Sequence, residues 1–146
     1  MVHAVNDPLA IANELRPVLL RIIRHLRRET QALGITGGQV SLLAAIDLHP
    51  GLTAGELATR EGISAPGMSG HLAKLEGARM IHRSRGADRR RVGLFLTPEG
   101  SAVLQTARTR RTAWLAEGLE KLSPDDRALI AAAVGALDRL SGEEEI

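Results

Sequence analysis

Six arginines crowd the stretch from Arg79 to Arg91: Arg79, Arg83, Arg85, Arg89, Arg90 and Arg91, with Asp88 the only acid among them. Guanidinium groups at that density repel one another unless something anionic neutralises them, and their planar forks match phosphate oxygens. Taken alone, such a run is as readily a solvated loop as a polyanion contact. The residues just before it decide. Ser64, Ala65, Pro66, Ser69 and Lys74 fall on the outer face or the N-terminus of a segment whose apolar residues, Met68, Leu72 and Leu75, mark the opposite face. A helix that presents free N–H groups and small polar side chains in this way can enter a DNA major groove. His71 lies in the same segment and is a further candidate for DNA contact.

Other chemistries find little support. The chain has no cysteine, which removes disulfides, thiolate metal sites and thiol nucleophiles. His25, His49, His71 and His82 fall on separate elements without close ligand spacing, so no metal site is expected. No Ser-His-Asp or paired-carboxylate arrangement stands in a suitable context, and Gly34–Gly38 follows a helical segment rather than a strand, unlike a phosphate loop. Binding rather than catalysis is expected, with no cofactor.

The elements that must position these residues are marked by their first turns. Asp7-Pro8, Thr97-Pro98-Glu99 and Ser123-Pro124-Asp125 are caps followed by proline at the first helical position. Thr36-Gly-Gly-Gln39 and Thr53-Ala-Gly-Glu56 fit the capping box, and Ser64 caps a further helix. Six helices are predicted: about 8–32, 37–48, 54–60, 65–78, 98–122 and 124–140. Pro17 lies inside the first and is expected to kink or break it near Arg16. Between the fourth and fifth helices the period changes to two. Ile81–Arg85 and Val92–Leu96 alternate as strands around a polar turn, giving a basic hairpin.

The third and fourth helices, joined by a turn at Gly62-Ile63, make a helix-turn-helix. Leu57, the small Ala58, Ile63, Met68, Leu72 and Leu75 are its inward residues, and Gly62 supplies a left-handed turn. The first helix carries Leu15, Val18, Leu19, Ile22, Ile23 and Leu26 at helical spacing, with Arg21, Arg24, Arg27 and Arg28 mostly opposite. Such a basic amphipathic helix could lie on a membrane, but other helices are available to cover its stripe, and burial against a partner is the better reading. The sixth carries Leu129, Ile130, Ala133, Val134, Leu137 and Leu140. The tail from Gly142 to Glu145 is acidic and is expected to fray.

Net charge over the 146 residues is only +2, and it is unevenly spread. Residues 36–96 hold eight Lys/Arg against five acids, and residues 97–146 hold six against nine. With one Trp, one Phe and no Tyr, the core must be aliphatic, which favours packed helices. No apolar run reaches the roughly 20 residues needed to span a bilayer, and no signal-peptide pattern opens the chain. A cytoplasmic protein with no membrane partner is expected.

These motifs in this order resemble the MarR family. The hairpin ends in Asp88-Arg-Arg90-Arg-Val-Gly-Leu-Phe-Leu96-Thr97-Pro-Glu-Gly100, similar to that family's wing pattern, and Leu52-Thr53-Ala-Gly-Glu56-Leu57-Ala58 is similar to its lead into the helix-turn-helix. The resemblance implies a mainly α fold with a small β-hairpin wing. A winged helix-turn-helix at 36–97 would be flanked by dimerisation helices at 1–35 and 98–146. It implies a homodimer on double-stranded DNA, a repressor of transcription, released by a small-molecule effector. By that resemblance Thr53, Ser64, Ala65, Pro66, Ser69, Gly70, His71 and Lys74 face DNA from the helix-turn-helix. Arg85, Arg89, Arg90 and Arg91 face it from the wing, with Arg90 in the minor groove and Asp88 shaping the wing through an ion pair. Two residues depart from the pattern. Gly70 stands where the family often has Arg or another polar side chain, so side-chain base readout should be sparse. Arg79 stands where these proteins usually place Gly at a helix end. The aromatic side chains that often line the family's effector pocket are also nearly missing. The alternatives are a winged-helix protein-interaction module, which has no need of the arginines, and an architectural DNA binder without an effector.

Overall fold

The computed structural model describes residues 4–142; the end of the acidic tail, 143–146, lies outside the described residues. After a short 3-10 turn the elements run α1 (Pro8–Gln31), α2 (Gly37–Leu48), α3 (Ala54–Glu61), α4 (Ala65–Gly77), β1 (Ile81–Arg85), β2 (Val92–Leu96), α5 (Pro98–Glu120) and α6 (Pro124–Ser141). The chain divides into two compact units, residues 1–111 and 112–146.

The helix starts follow from their caps. Asp7 accepts the Leu9 N–H, and Pro8 fills the first turn. Thr36 and Gln39 close a full capping box: the Thr36 hydroxyl accepts the Gln39 N–H at 3.1 Å, and the Gln39 side chain accepts the Thr36 N–H at 3.0 Å. Ser64 and Ser123 cap α4 and α6 through the N–H groups of Gly67 and Asp126. α1 is unbroken at Pro17, contrary to a break near Arg16. One lost backbone hydrogen bond is outweighed by a stripe that is half-buried on both sides of the proline, at Leu15 before it and Leu19, Ile22 and Leu26 after it.

The core of the first unit is aliphatic. Val40, Leu43 and Ile46 of α2, Leu57 of α3, Met68, Leu72 and Leu75 of α4, Ile81 and Leu94 of the hairpin, and Leu104 and Ala107 of α5 are all buried. Met68, Leu72 and Leu75 recur at i, i+4 and i+7, so one face of α4 is spent on the core and the opposite face is left to solvent. The turn between α3 and α4 needs Gly62, which sits at φ 64° and ψ 32°. The hairpin is antiparallel, with Ile81 opposite Leu96 and Arg85 opposite Val92. Its second edge is covered: the Gly51 N–H donates to Leu94 O at 2.9 Å and the Leu94 N–H to Leu52 O at 2.8 Å, so the α2–α3 connection pairs with β2.

A tight joint links the end of α4 to the start of α5. Arg79 adopts φ 59°, the one positive φ at a residue other than glycine among the described residues. The next N–H, of Met80, returns to Leu75 O, and that of Arg79 to Glu76 O, which closes the helix in the Schellman manner. The Thr97 hydroxyl donates to Arg79 O at 2.6 Å and accepts the Gly100 N–H at 3.0 Å, while the Thr97 N–H donates to Met80 O. A Cβ on residue 100 would lie 1.9 Å from the Met80 carbonyl oxygen, so only glycine fits there.

In the second unit, α6 has no buried residue: Leu129 is 69% and Leu140 67% exposed, and Ile130, Val134 and Leu137 are exposed too. No helix among the described residues is long and apolar enough to cross a membrane.

Candidate nucleic-acid interface

The side chains that the sequence marks for DNA come from two neighbouring sources. From α4 and its cap, Ser64, Ala65, Pro66, Ser69, Gly70, His71 and Lys74 are all exposed, opposite the buried Met68–Leu72–Leu75 face. Thr53 differs from them. It is half-buried and serves α3, its hydroxyl accepting the Glu56 N–H at 3.1 Å. The Glu56 carboxylate also meets Arg91, at 2.6 Å.

The wing is organised by hydrogen bonds and by this ion pair. Asp88 Oδ1 accepts the Arg90 N–H at 3.0 Å, and Asp88 O accepts the Arg91 N–H at 3.1 Å. Asp88 therefore shapes the turn as a backbone cap, and the ion pair expected of it is made by Arg91 with Glu56 of α3. An aspartate two residues before an N–H is well placed for such a local turn, and that proximity wins over a longer reach to a guanidinium. The Arg91–Glu56 contact holds the Glu56 carboxyl below its ordinary pKa, chiefly through the hydrogen bond from Arg91, and raises that of Arg91. Arg85 donates to Arg89 O at 3.2 Å across the hairpin, and Arg83 pairs with Glu76 of α4. The Arg89 and Arg90 side chains are exposed and have no charged partner among the described residues. Four arginines of similar appearance in sequence thus separate: Arg85 and Arg91 brace the wing, and Arg89 and Arg90 make no ion pair among the described residues. His82 stacks on Phe95 with ring centroids 5.5 Å apart and belongs to the hairpin's own packing.

A second feature was not read from the sequence. A cavity of about 290 Å³ lies where α1, the start of α2 and α5 meet, lined by Ile23, Leu26, Arg27, Gly37, Gly38, Ser41 and Arg111. Arg111 Nε is buried there without a hydrogen-bond partner. Burial, then the neighbouring charge of Arg27, lowers the Arg111 pKa. Two converging cations and the N-terminus of α2 give the cavity a positive wall, while Ile23 and Leu26 give it an apolar one. Arg27 and Arg111 stand 84 positions apart, which hides this pairing from any local pattern.

Comparison with known proteins bears on this geometry. A sequence model of the MarR family matches residues 33–91, which takes in the helix-turn-helix and most of the wing. The chain is 34% identical to a candidate transcriptional regulator from Pseudomonas aeruginosa PA01 of known crystal structure, covering 96% of this chain and 99% of that one with a TM-score of 0.81. It is 27% identical to the MarR family transcription regulator SP03579, covering 97% and 95% with a TM-score of 0.74. An uncharacterised HTH-type transcriptional regulator of Mycobacterium bovis, Mb0904, is 28% identical over 130 residues, 88% of this chain and 91% of that protein.

Proposed function

The chain belongs to the MarR family of DNA-binding transcription regulators, and from that premise we propose that it is a repressor that binds a pseudo-palindromic operator as a homodimer and leaves it when a small organic anion binds. The observation that carries the DNA contact is the division of α4 into a buried face and a wholly exposed one, beside a wing whose Arg89 and Arg90 have no charged partner among the described residues. Phosphate contacts from Arg and Lys supply most of the affinity, and groove contacts from α4 supply selection. Arg90, at the tip of the wing, enters the flanking minor groove, where a narrow A·T-rich stretch concentrates negative potential.

Dimerisation answers the uncovered apolar surface on α6, at Leu129, Val134 and Leu140, and on α1, at Leu20 and Ile23. An obligate homodimer of this kind buries more than about 2,000 Å² and sets two recognition helices about 34 Å apart, one DNA turn. The cavity at Arg27 and Arg111 suits a carboxylate or similar anion with an apolar body, and such a ligand shifts the protein off DNA only if it binds the released arrangement better.

Enriching fragments from a genomic pool and measuring their gel shift gives operator and target together. Sedimentation at micromolar concentration reads the dimer. A folded monomer, or a protein that enriches no DNA, overturns the proposal, and the second outcome favours a protein-interaction module.

A further inference from the structure

Glycine at position 70 has no explanation inside the chain. Two glycines stand in the first half of α4, and the fold accounts for one of them. A Cβ on Gly67 would come within 3.0 Å of Ser64 Oγ and 3.3 Å of Ile63 Cγ2, so the capped first turn keeps that position small. A Cβ on Gly70 would meet nothing within 4 Å, and its backbone is ordinary right-handed helix. Glycine is among the poorest helix formers, so almost any other residue would serve the helix better. Nothing within the chain requires glycine here, as nothing does at Gly77 or Gly118; what singles out Gly70 is its place on the outer face of α4.

Its position says where. At about 100° per residue, Gly70 lies opposite the buried Met68, Leu72 and Leu75, with Pro66 and Ala73 to one side of its outward line and Lys74 to the other. Gly70, Pro66 and Ala73 carry no side-chain donor or acceptor; Lys74, next to Gly70 on the other side, carries a charge at the end of a long stem, and Ser69 stands further round. On the Pro66–Ala73 side of Gly70 the outward surface of α4 is thus aliphatic. A base edge rich in hydrogen-bonding groups would lose water against it and gain no partner. The groove feature that gains from such a surface is the C5-methyl group of thymine.

We propose that α4 selects thymine methyl groups by close apolar contact, with Gly70 as the point where the helix backbone comes nearest the groove floor. This inference rests on the DNA-binding reading above. It assigns specificity to an absent side chain, and it sets the half-site composition: thymines beneath Gly70, Pro66 and Ala73, read without a bidentate hydrogen bond.

The test uses the full-length protein and the operator duplex enriched from the genomic pool. Each half-site thymine is replaced in turn by deoxyuridine, which removes the methyl group and leaves every hydrogen-bonding atom. Binding is expected to weaken about fourfold for each contacted methyl, at one to three positions in each half-site. Gly70→Ala and Gly77→Ala, both at open positions of the same helix, are each expected to raise the melting temperature, but only Gly70→Ala to weaken operator binding tenfold or more, with non-specific binding at low salt unchanged. A flat deoxyuridine scan overturns the inference, as does Gly70→Ala binding its operator as tightly as the wild type. A melting temperature that falls in Gly70→Ala overturns it too, because the glycine would then have an internal role. If the wild-type protein binds no DNA at all, the DNA-binding reading itself has failed; if it binds and the scan is flat, only this inference has.

Discussion

Replacing Arg79 by glycine is expected to stabilise the protein. Arg79 ends α4 with φ 59°, where an L side chain crowds its own backbone at a cost of about 1–2 kcal/mol. Its N–H and carbonyl are both engaged, with Glu76 O and the Thr97 hydroxyl, and glycine keeps both bonds. Its side chain is exposed and forms no ion pair among the described residues, so truncation removes no internal charge contact. Against the relief stands the greater freedom of glycine in the unfolded chain, about 0.4–1 kcal/mol. The balance is a gain of roughly 0.5–1 kcal/mol, or about 1–4 °C in melting temperature for a chain of this size. Thermal unfolding at fixed protein concentration reads it. A melting temperature that stays level or falls refutes the strain argument. Operator titration of the same variant adds a second readout: if Arg79 contacts phosphate, the slope of log K against log salt becomes shallower by about one unit.

Gly100→Ala should be severely destabilising, by several kcal/mol, because its Cβ would fall 1.9 Å from the Met80 carbonyl oxygen, part of a backbone fixed at both ends; circular dichroism during thermal melting would show it, and a normal melting curve would contradict the joint as described. Arg90→Ala should weaken operator binding by about 1–3 kcal/mol, with most of the loss on A·T-rich flanks, whereas Arg89→Ala should weaken all sequences alike; titrations on operator and scrambled duplexes at several salt concentrations separate the two. Glu56→Gln should loosen the wing, seen as faster amide exchange across residues 86–91, with the melting temperature nearly unchanged because the pair is exposed. Because the folded-state pKa of Glu56 is depressed, the contribution of its contact with Arg91 is present above the ordinary glutamate pKa and is lost as pH falls through the depressed value; wild type and Glu56→Gln should therefore converge in wing exchange under acidic conditions and diverge near neutral pH.

Most of the fold was legible because it rests on local chemistry. Caps at Asp7, Thr36, Ser64 and Ser123 each bind the N–H that their spacing foretells, and both strands begin and end where the period of two does. The division of α4 into two faces needed only the spacing of Met68, Leu72 and Leu75. What the sequence hid is what depends on distant partners. Asp88 carries the right charge for an ion pair, yet the nearest unmet donor is the Arg90 N–H, two residues away. Glu56 has the spacing of a capping-box residue, but nothing local foretells the guanidinium that reaches it from the wing. Pro17 signals a helix end by local rules, and its tertiary setting overrides them. The cavity at Arg27 and Arg111 joins residues far apart along the chain, a pairing that no window of sequence contains.

Gly70 and Arg79 make sense together. At Gly70 an alanine would suit the helix better, and at Arg79 a glycine would suit the turn better; the chain holds the less stable residue at both. Neither choice relieves a clash or completes a contact within the fold. Both lie on the exposed side of one helix-turn-helix or at its end, and their effects on an outside partner are opposite in kind. On the proposed reading, Gly70 removes bulk where the helix faces the groove, and Arg79 adds charge where the helix leaves it, beside the hairpin that carries Arg89 and Arg90. A duplex asks for both: room above its base edges and cations along its phosphates. Close packing in the core and the Thr97–Gly100 joint supply rigid support on the other side of α4, which lets the outer face forgo local stability without losing its shape. The double variant Gly70→Ala with Arg79→Gly should then melt higher than either single change, by close to the sum of the two since the sites are nine positions apart, and bind its operator more weakly than both. Additive stabilisation together with undiminished operator affinity would show that the two residues answer to something other than DNA.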